Sequence, residues 1–395
     1  MNIQPFYVIP ILIKQPTWGG DAIVKIKRLL DPVLHDQKIG QSYELSPDSR
    51  VSIDPAAQEC FVLTDSGLNG AQQFGPSIES LDLQSVVMMN PSAILGESWA
   101  QKDPTMQLLV KFNQAKNNSY QVHVRPGSEF HGWQAKPESW LYLADGQATV
   151  GLKQGADLGQ YKRACEEIEA EAQRLGNQVK DGTITIEAAR ESLSVFVEPR
   201  HPRQFVNCVT VPKGSVVDLW QGGIHHSWEA DASLPDGNII FEVQMSVRDE
   251  RSSMRSFDQG HIKDQGDLRP LHIEDYFQAL NTSPLDNQPE KLVTQPQGHS
   301  QDGVRQTALF CTPYYQLQQL EFAVGSSLTR TTSSFHHLYV HDGEARVEWH
   351  DQVFDIMTGR SLFIPAACGN YMLSTTSSAF VLETSLPPIS QEGKV

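Results

Sequence analysis

Two histidines, a glutamate and a glutamine stand where strands would aim them at one point. Gln121-Val-His123 lies in an alternating run, Tyr120–Val124. Residues i and i+2 of a strand share a face, so Gln121 and His123 enter one interior. Lys136-Pro-Glu138 opens the next alternating run, after a loop containing Pro126 and Gly127. Gly222-Gly-Ile-His225 comes much later in the chain, and a late strand can return beside an early one. His226 follows directly, so either imidazole fits that spacing. Two imidazoles, a carboxylate and an amide oxygen predict one divalent-metal site, with Gln121, His123, Glu138 and His225 as ligands. The donor set suits zinc, and also manganese, iron or nickel. Zinc, one per chain, is the expectation, because a d10 ion gives Lewis acidity without redox side reactions. The amide ligand points away from a purely structural site, where thiolates are usual. Alone, His123 reads as a hydrogen-bonded core histidine and Glu138 as a surface carboxylate. The combination carries the expectation.

The elements that would position these groups are short strands separated by Gly, Pro, Asp and Asn. Besides Tyr120–Val124, alternation marks Trp140–Leu143, Ala148–Leu152, Phe205–Val211 and Ile239–Met245. Closely spaced strands with turn signals predict a sandwich or barrel. One segment breaks the pattern. Tyr161, Cys165, Ile168, Ala172, Leu175 and Val179 recur at helical spacing, predicting a helix over 158–179 that Gly176, Asn177 and Gly182 end or interrupt. Thr185 is placed to cap a second helix through about Leu193. Residues 281–305 are polar and Pro-rich and read as a linker. Beyond it the chain is strand-like again, with hairpins expected at Tyr339–Glu348 and Gln352–Pro365. Gly359-Arg-Ser-Leu-Phe-Ile-Pro365 loosely echoes Val211-Pro-Lys-Gly214 and hints at a repeat. The predicted fold is mainly β: two jelly-roll barrels with a small helical insertion. The predicted domains are 1–156 with 197–280, an insertion at 157–196, a linker at 281–305, and a second barrel at 306–395. In that barrel His336, His337 and His341 are read as hydrogen-bonding groups, with Asn370 near where a late ligand would stand, so no metal is expected there.

Composition bounds the partners. With 395 residues, more than one domain is expected. The formal net charge of -16 argues against nucleic acid, which needs a basic face. A small anionic substrate would need a local cluster of Lys and Arg. The five cysteines are odd in number and lack CxxC spacing, against a disulfide framework or a thiolate site. The run Phe6–Ile13 is short and interrupted by Pro10. The expectation is a reduced cytoplasmic protein, without a membrane span, monomeric or homodimeric.

In that order along the chain, the motifs resemble those of the type I mannose-6-phosphate isomerases, a cupin family. Thr17-Trp-Gly-Gly20 resembles its W-G-G, and Ile39-Gly-Gln-Ser-Tyr-Glu-Leu45 its I-G-E-S-W-E-L. Leu108-Leu-Val-Lys-Phe112 resembles the L-x-K-F strand, followed by Gln121-Val-His123 and Lys136-Pro-Glu138. Phe241-Glu-Val-Gln244, Met254-Arg-Ser-Phe-Asp258 and Arg269-Pro-Leu-His-Ile-Glu274 resemble E-x-Q, Y-R-V-Y-D and R-x-L-H-I-E. The resemblance implies two cupin barrels, the second metal-free, and a zinc enzyme interconverting mannose 6-phosphate and fructose 6-phosphate through an enediolate. It makes Gln121, His123, Glu138 and His225 the zinc ligands. It places Lys136, Glu242 and Arg255 in the active pocket and Trp18 at the substrate entrance. Either Glu242 or Lys136 would be the base, and Arg255 would stabilise the enediolate or bind phosphate. Arg125 would replace a family phosphate contact, with Lys111 and Arg269 as further cations. The chain departs from the family at Val124-Arg125-Pro126, in the length of the 123–136 loop, at Gly223 and at Trp220. Those changes bear on the sugar more than on the metal. Another sugar, or sugar binding without turnover, is the alternative.

Overall fold

A computed structural model describes residues 3–16, 18–65, 70–116, 118–226 and 233–389. Alternation in the sequence becomes layers. A five-stranded sheet runs in the order Val206–Val211, Gly146–Leu152, Gly223–His226, Tyr120–His123, Met254–Phe257. Met254, Val122 and Ile224 are register partners across it and face outward. They pack beneath the helices Leu158–Lys180, Ile186–Val197 and Ile273–Ala279, whose stripe of Tyr161, Cys165, Ile168, Ala172 and Leu175 fills the same core. The intervening row, Arg255, Gln121 and His225, faces the other way.

That row meets a nine-stranded second sheet. At its centre lie Val216–Asp218, Glu138–Tyr142, Asn238–Met245, Leu108–Ala115 and Ile39–Leu45, adjacent in that order. Trp140, Tyr142 and Ile240 pack on Ala148, Val150 and Val211 of the first sheet and close one end of the space between them. The other face of the second sheet, with Leu141, Val110, Phe112 and Phe241, packs on a third sheet. The rings of Phe112 and Phe241 lie 6.2 and 5.2 Å from that of Tyr339 there. The third sheet's far side, with Leu338, Val340 and Leu362, packs on a four-stranded fourth sheet through Val347, Phe354 and Leu373.

Several expectations change. The strands form four open sheets stacked as sandwiches, and none closes into a barrel among the described residues. The helix runs unbroken through Gly176 to Lys180, capped by Asp157. Gly176 is there for contact rather than termination: a Cβ on it would lie 2.5 Å from the Gly266 carbonyl oxygen. Thr185 does cap the second helix, which extends to Val197. The two expected hairpins are corners. His336–Asp342 and Ala345–Trp349 belong to different sheets, as do Gln352–Ile356 and Ser361–Ile364, with Gly343 and Gly359 turning left-handed between them. The actual hairpin joins Ala345–Trp349 to Gln352–Ile356. Pro10 splits what reads as one apolar run. Phe6–Ile9 pairs with Ser361–Ile364 in the third sheet, while Ile11–Lys14 joins the second. Hydrogen bonding therefore crosses the predicted boundary between 1–156 and 306–395. Within the predicted linker, Val293–Thr294 pairs with Val216–Asp218 and His299–Gln301 with Val304–Cys311. These are edge strands, and His299–Gln301 is exposed throughout, so its composition stays polar. No helix among the described residues is long and apolar enough to cross a membrane.

Candidate metal centre

His123 ends one strand of the first sheet, His225 lies in its neighbour, and Glu138 begins the facing strand of the second sheet. Gly222 allows the two histidine strands to meet. It turns left-handed, and a Cβ there would lie 2.5 Å from the His123 carbonyl oxygen. Pro137 immediately precedes the Glu138–Tyr142 strand, a position where its missing N–H costs no ladder bond. One potential ligand atom from each of His123, Glu138 and His225 lies within 4.8 Å of the others, and all three side chains are buried.

Tautomers decide what this cluster can hold. His123 Nδ1 is 2.6 Å from the Ser252 carbonyl oxygen, and His225 Nδ1 is 3.0 Å from that of Gly223. A carbonyl only accepts, so each Nδ1 carries the proton and each Nε2 presents a lone pair. These lone pairs face Glu138: His123 Nε2 is 3.2 Å from Oε2 and His225 Nε2 is 3.2 Å from Oε1. Acceptor faces acceptor, so a cation belongs between them. Burial lowers the His225 pKa to about 4, so that imidazole does not supply the cation as a proton near neutrality. Burial pushes the Glu138 carboxyl up, but the neighbouring Lys136 charge opposes it, and the group is held well below the usual carboxylate range. Two neutral imidazoles and one carboxylate fit a divalent ion.

His225, not His226, faces this cluster. His226 points to the helical side, its ring stacked on Tyr120 at 4.8 Å. Gln121 is the Cα partner of His225 on one side and of Arg255 on the other, and its amide makes no hydrogen bond among the described residues. It is thereby available beside the three ligands.

Around the cluster lies a ring of charge. Lys136 Nζ is 3.3 Å from Glu138 and 3.3 Å from Asp249. Burial would lower its pKa, but Asp249, Glu138 and Glu242 reverse this and keep it protonated. Glu242, opposite Trp140 in register, is diagonal to Glu138, a spacing of about 7–8 Å between strands. Its oxygens receive Lys111 Nζ at 3.1 Å and Asn113 Nδ2 at 2.6 Å. Arg255 is buried with Nε unpartnered. Burial, aided by Arg269, lowers its pKa from the arginine value. Asp249 keeps 59% of its side chain accessible while ringed by cations, as a group at a mouth would. The crowding of protein around its carboxyl raises its pKa, but Lys136, Lys111 and Arg255 outweigh that and bring it below the usual carboxylate range. Asp249 and Asn113 escaped sequence reading. Asp249 lies in an irregular polar segment, and Asn113 becomes interesting only once its partner Glu242 is known.

Two expected site residues stand apart. Arg125 is exposed and donates to Gln221 at 2.8 Å, bracing two loops beside the histidine strands. Trp18 is half-buried against Gly40, where an added Cβ would come 2.6 Å from its ring, and among the described residues it makes no hydrogen bond to the cluster. Thr17 before it lies outside the described residues. A cavity of about 270 Å³ lies elsewhere, between the Leu158–Lys180 helix and residues Gly266–Pro270. The centre itself holds the ion pairs of Lys136 with Glu138 and Asp249.

No protein-family model matches the chain, and no curated protein does. Solved structures do. The mannose 6-phosphate isomerase of Bacillus subtilis is similar with a TM-score of 0.65 at 13% identity, over 97% of this chain and 100% of that one. A variant phosphomannose isomerase of Salmonella typhimurium gives 0.65 at 13%, over 98% and 100%. A zinc-bound mannose 6-phosphate isomerase gives 0.62 at 13%, over 97% and 100%. At such identity the likeness shows a shared fold.

Proposed function

We propose that this chain is a zinc-dependent aldose–ketose isomerase acting on a small sugar phosphate, interconverting mannose 6-phosphate and fructose 6-phosphate in the cytoplasm. One observation carries the reading. Two imidazole lone pairs converge on a single buried carboxylate, with Lys136, Glu242 and Arg255 around it. The fold neighbours named as mannose 6-phosphate isomerases, one of them zinc-bound, support the reaction class. The same likeness supports two cupin units, 1–156 with 197–280 and 306–395, bearing the 157–196 insertion and joined by 281–305.

His123, Glu138 and His225, with the Gln121 amide, would hold the ion. Bound there, zinc supplies Lewis acidity toward the substrate's carbonyl and hydroxyl oxygens. The chain's own groups do the rest. The reaction takes the C2 proton from an open-chain aldose and returns a proton to C1, while one oxygen loses a proton and the other gains one. Glu242 is the group able to accept the carbon-bound proton, its carboxylate oriented by Lys111 and Asn113. Lys136 keeps its proton and serves as donor to the developing oxyanion. Arg255, with its buried and unpartnered Nε, receives the anionic part of the substrate. Arg125 and Trp18 would line the approach.

The test is a coupled assay of mannose 6-phosphate turnover, with and without chelator, on wild type and Lys136→Ala. Turnover that survives metal removal would sink the metal mechanism. A zinc-loaded protein inert toward every hexose phosphate would point to an unphosphorylated sugar or to binding without turnover.

A further inference from the structure

The 124–137 loop joins the strands of two candidate ligands, His123 and Glu138. One side chain from the helical layer makes two contacts to it. Asp275, in the Ile273–Ala279 helix, has one carboxylate oxygen 3.1 Å from His131 Nδ1 and accepts from Trp133 Nε1 at 2.7 Å with the other. His131 sits at φ 49, a left-handed conformation that a non-glycine residue holds only when something pins it. A Cβ on Gly127 or Gly132 would meet nothing within 4 Å, while the loop's far end is tied by the Gln134 N–H donating to the Arg251 carbonyl at 2.7 Å.

The helix carrying Asp275 is itself anchored on two sides. Tyr276 and Tyr161 share a hydrogen bond at 3.0 Å, and Glu274 pairs with Lys162, fastening it to the Leu158–Lys180 helix. At its start His272 donates its backbone N–H to the Arg255 carbonyl at 2.8 Å, and its ring lies 4.9 Å from that of Trp133. We propose that Asp275 is a positioning residue that straps the 124–137 loop, the connection between the His123 and Glu138 strands, to the helical layer, giving the helical insertion the role of a fixed post for that loop. The inference rests on the metal-centre reading but not on the reaction.

Asp275→Ala and Trp133→Phe, which removes the donating indole N–H but keeps an aromatic ring, are compared with wild type and with a change at the exposed Gln278, Gln278→Ala, as a control on the same helix. The first readout is the rate at which a chelator strips zinc from the loaded chain. The second is chymotryptic cleavage after Phe130, measured on metal-free chain as well. Residues that orient ligands through a second contact typically change metal affinity by about 10–100-fold, so zinc loss at least about ten-fold faster is expected for Asp275→Ala, with a smaller rise for Trp133→Phe. Cleavage should rise in the same order and Gln278→Ala should match wild type. A rise in KM exceeding any fall in kcat would accompany these. Unchanged cleavage in both Asp275→Ala and Trp133→Phe would overturn the strap, whatever the chain proves to catalyse. Should Asp275→Ala fail to fold, Trp133→Phe alone decides, by the same two readouts.

Discussion

His123 Nε2 stands 3.2 Å from Glu138 Oε2 although the other nitrogen of the ring is committed to the Ser252 carbonyl at 2.6 Å. Without a cation the two facing atoms repel. The metal-free chain should therefore be measurably less stable than the loaded one. A ligand present at 100 times its dissociation constant adds about 2.7 kcal/mol of stability. Calorimetry with zinc titrated into chelator-treated protein checks this. A rise in Tm is expected for wild type and none for His123→Ala, and elemental analysis should find one zinc per wild-type chain. Equal Tm with and without zinc would remove the site.

Glu242→Gln should separate binding from chemistry. The amide keeps the Asn113 neighbourhood but cannot take a proton. Loss of a general base typically costs about 10²–10⁴-fold in rate. We expect kcat to fall in that range while zinc content stays at wild-type level. Glu138→Gln should instead lose zinc. If Glu242→Gln retains full turnover, the base lies elsewhere, and Lys136 becomes the residue to test.

The legible part of the site was what strand periodicity could carry. Gln121 and His123 share a face because they are two apart, and the register then places Gln121 opposite His225. Glu138 was legible as a strand start after Pro137. The choice between His225 and His226 was not, because adjacent residues point to opposite faces and only the partner strand tells which face is interior. Lys111 was read as a loose cation, yet its role comes from Glu242, its Cα partner 131 positions later. The fold shows the same division. The Leu158–Lys180 stripe was plain, since every contact it needs recurs locally. The exchange of Phe6–Ile9 into a sheet with Ser361–Ile364 has no local signature, because its pairing is non-local.

Lys27 is a test of how the two ends of the chain are joined. It is 0% exposed, and its Nζ donates to Glu44 at 2.7 and 2.8 Å and to the Gly359 carbonyl at 2.6 Å. Arg360 in turn donates to the Lys27 carbonyl at 2.8 Å. Removing one partner of a buried pair strands the other charge and costs about 3–5 kcal/mol. Lys27→Met should lose that much in urea unfolding. Adding Glu44→Gln should recover much of it, since Ser42 still contacts the same position at 2.6 Å. Additive losses in the double variant would contradict the pairing.

Acid should destabilise the fold through histidines remote from the metal. Burial lowers His337 to about 3 and His341 to about 4, with Lys213 adding to the effect at His341 and Asp342 opposing it. Both are neutral in the folded and unfolded chain well above pH 6.5, the ordinary histidine value, so their contribution is complete there. Below it the unfolded chain takes up protons that the folded one refuses, and stability falls until the folded pKa is reached. For His341 the window runs from pH 6.5 to about 4. The slope approaches about 1.4 kcal/mol per pH unit for each group. His341→Phe isolates one of them, because Phe112, Phe380 and Tyr339 surround the ring with aromatic contacts and its Nδ1 has no hydrogen-bond partner to lose. Urea midpoints from pH 7.5 to 4.5 should fall less steeply for His341→Phe than for wild type, the curves diverging only below pH 6.5. Parallel curves through that window would mean that the folded chain protonates His341 as readily as the unfolded one, and that the Lys213 and Lys27 charges do not reach it.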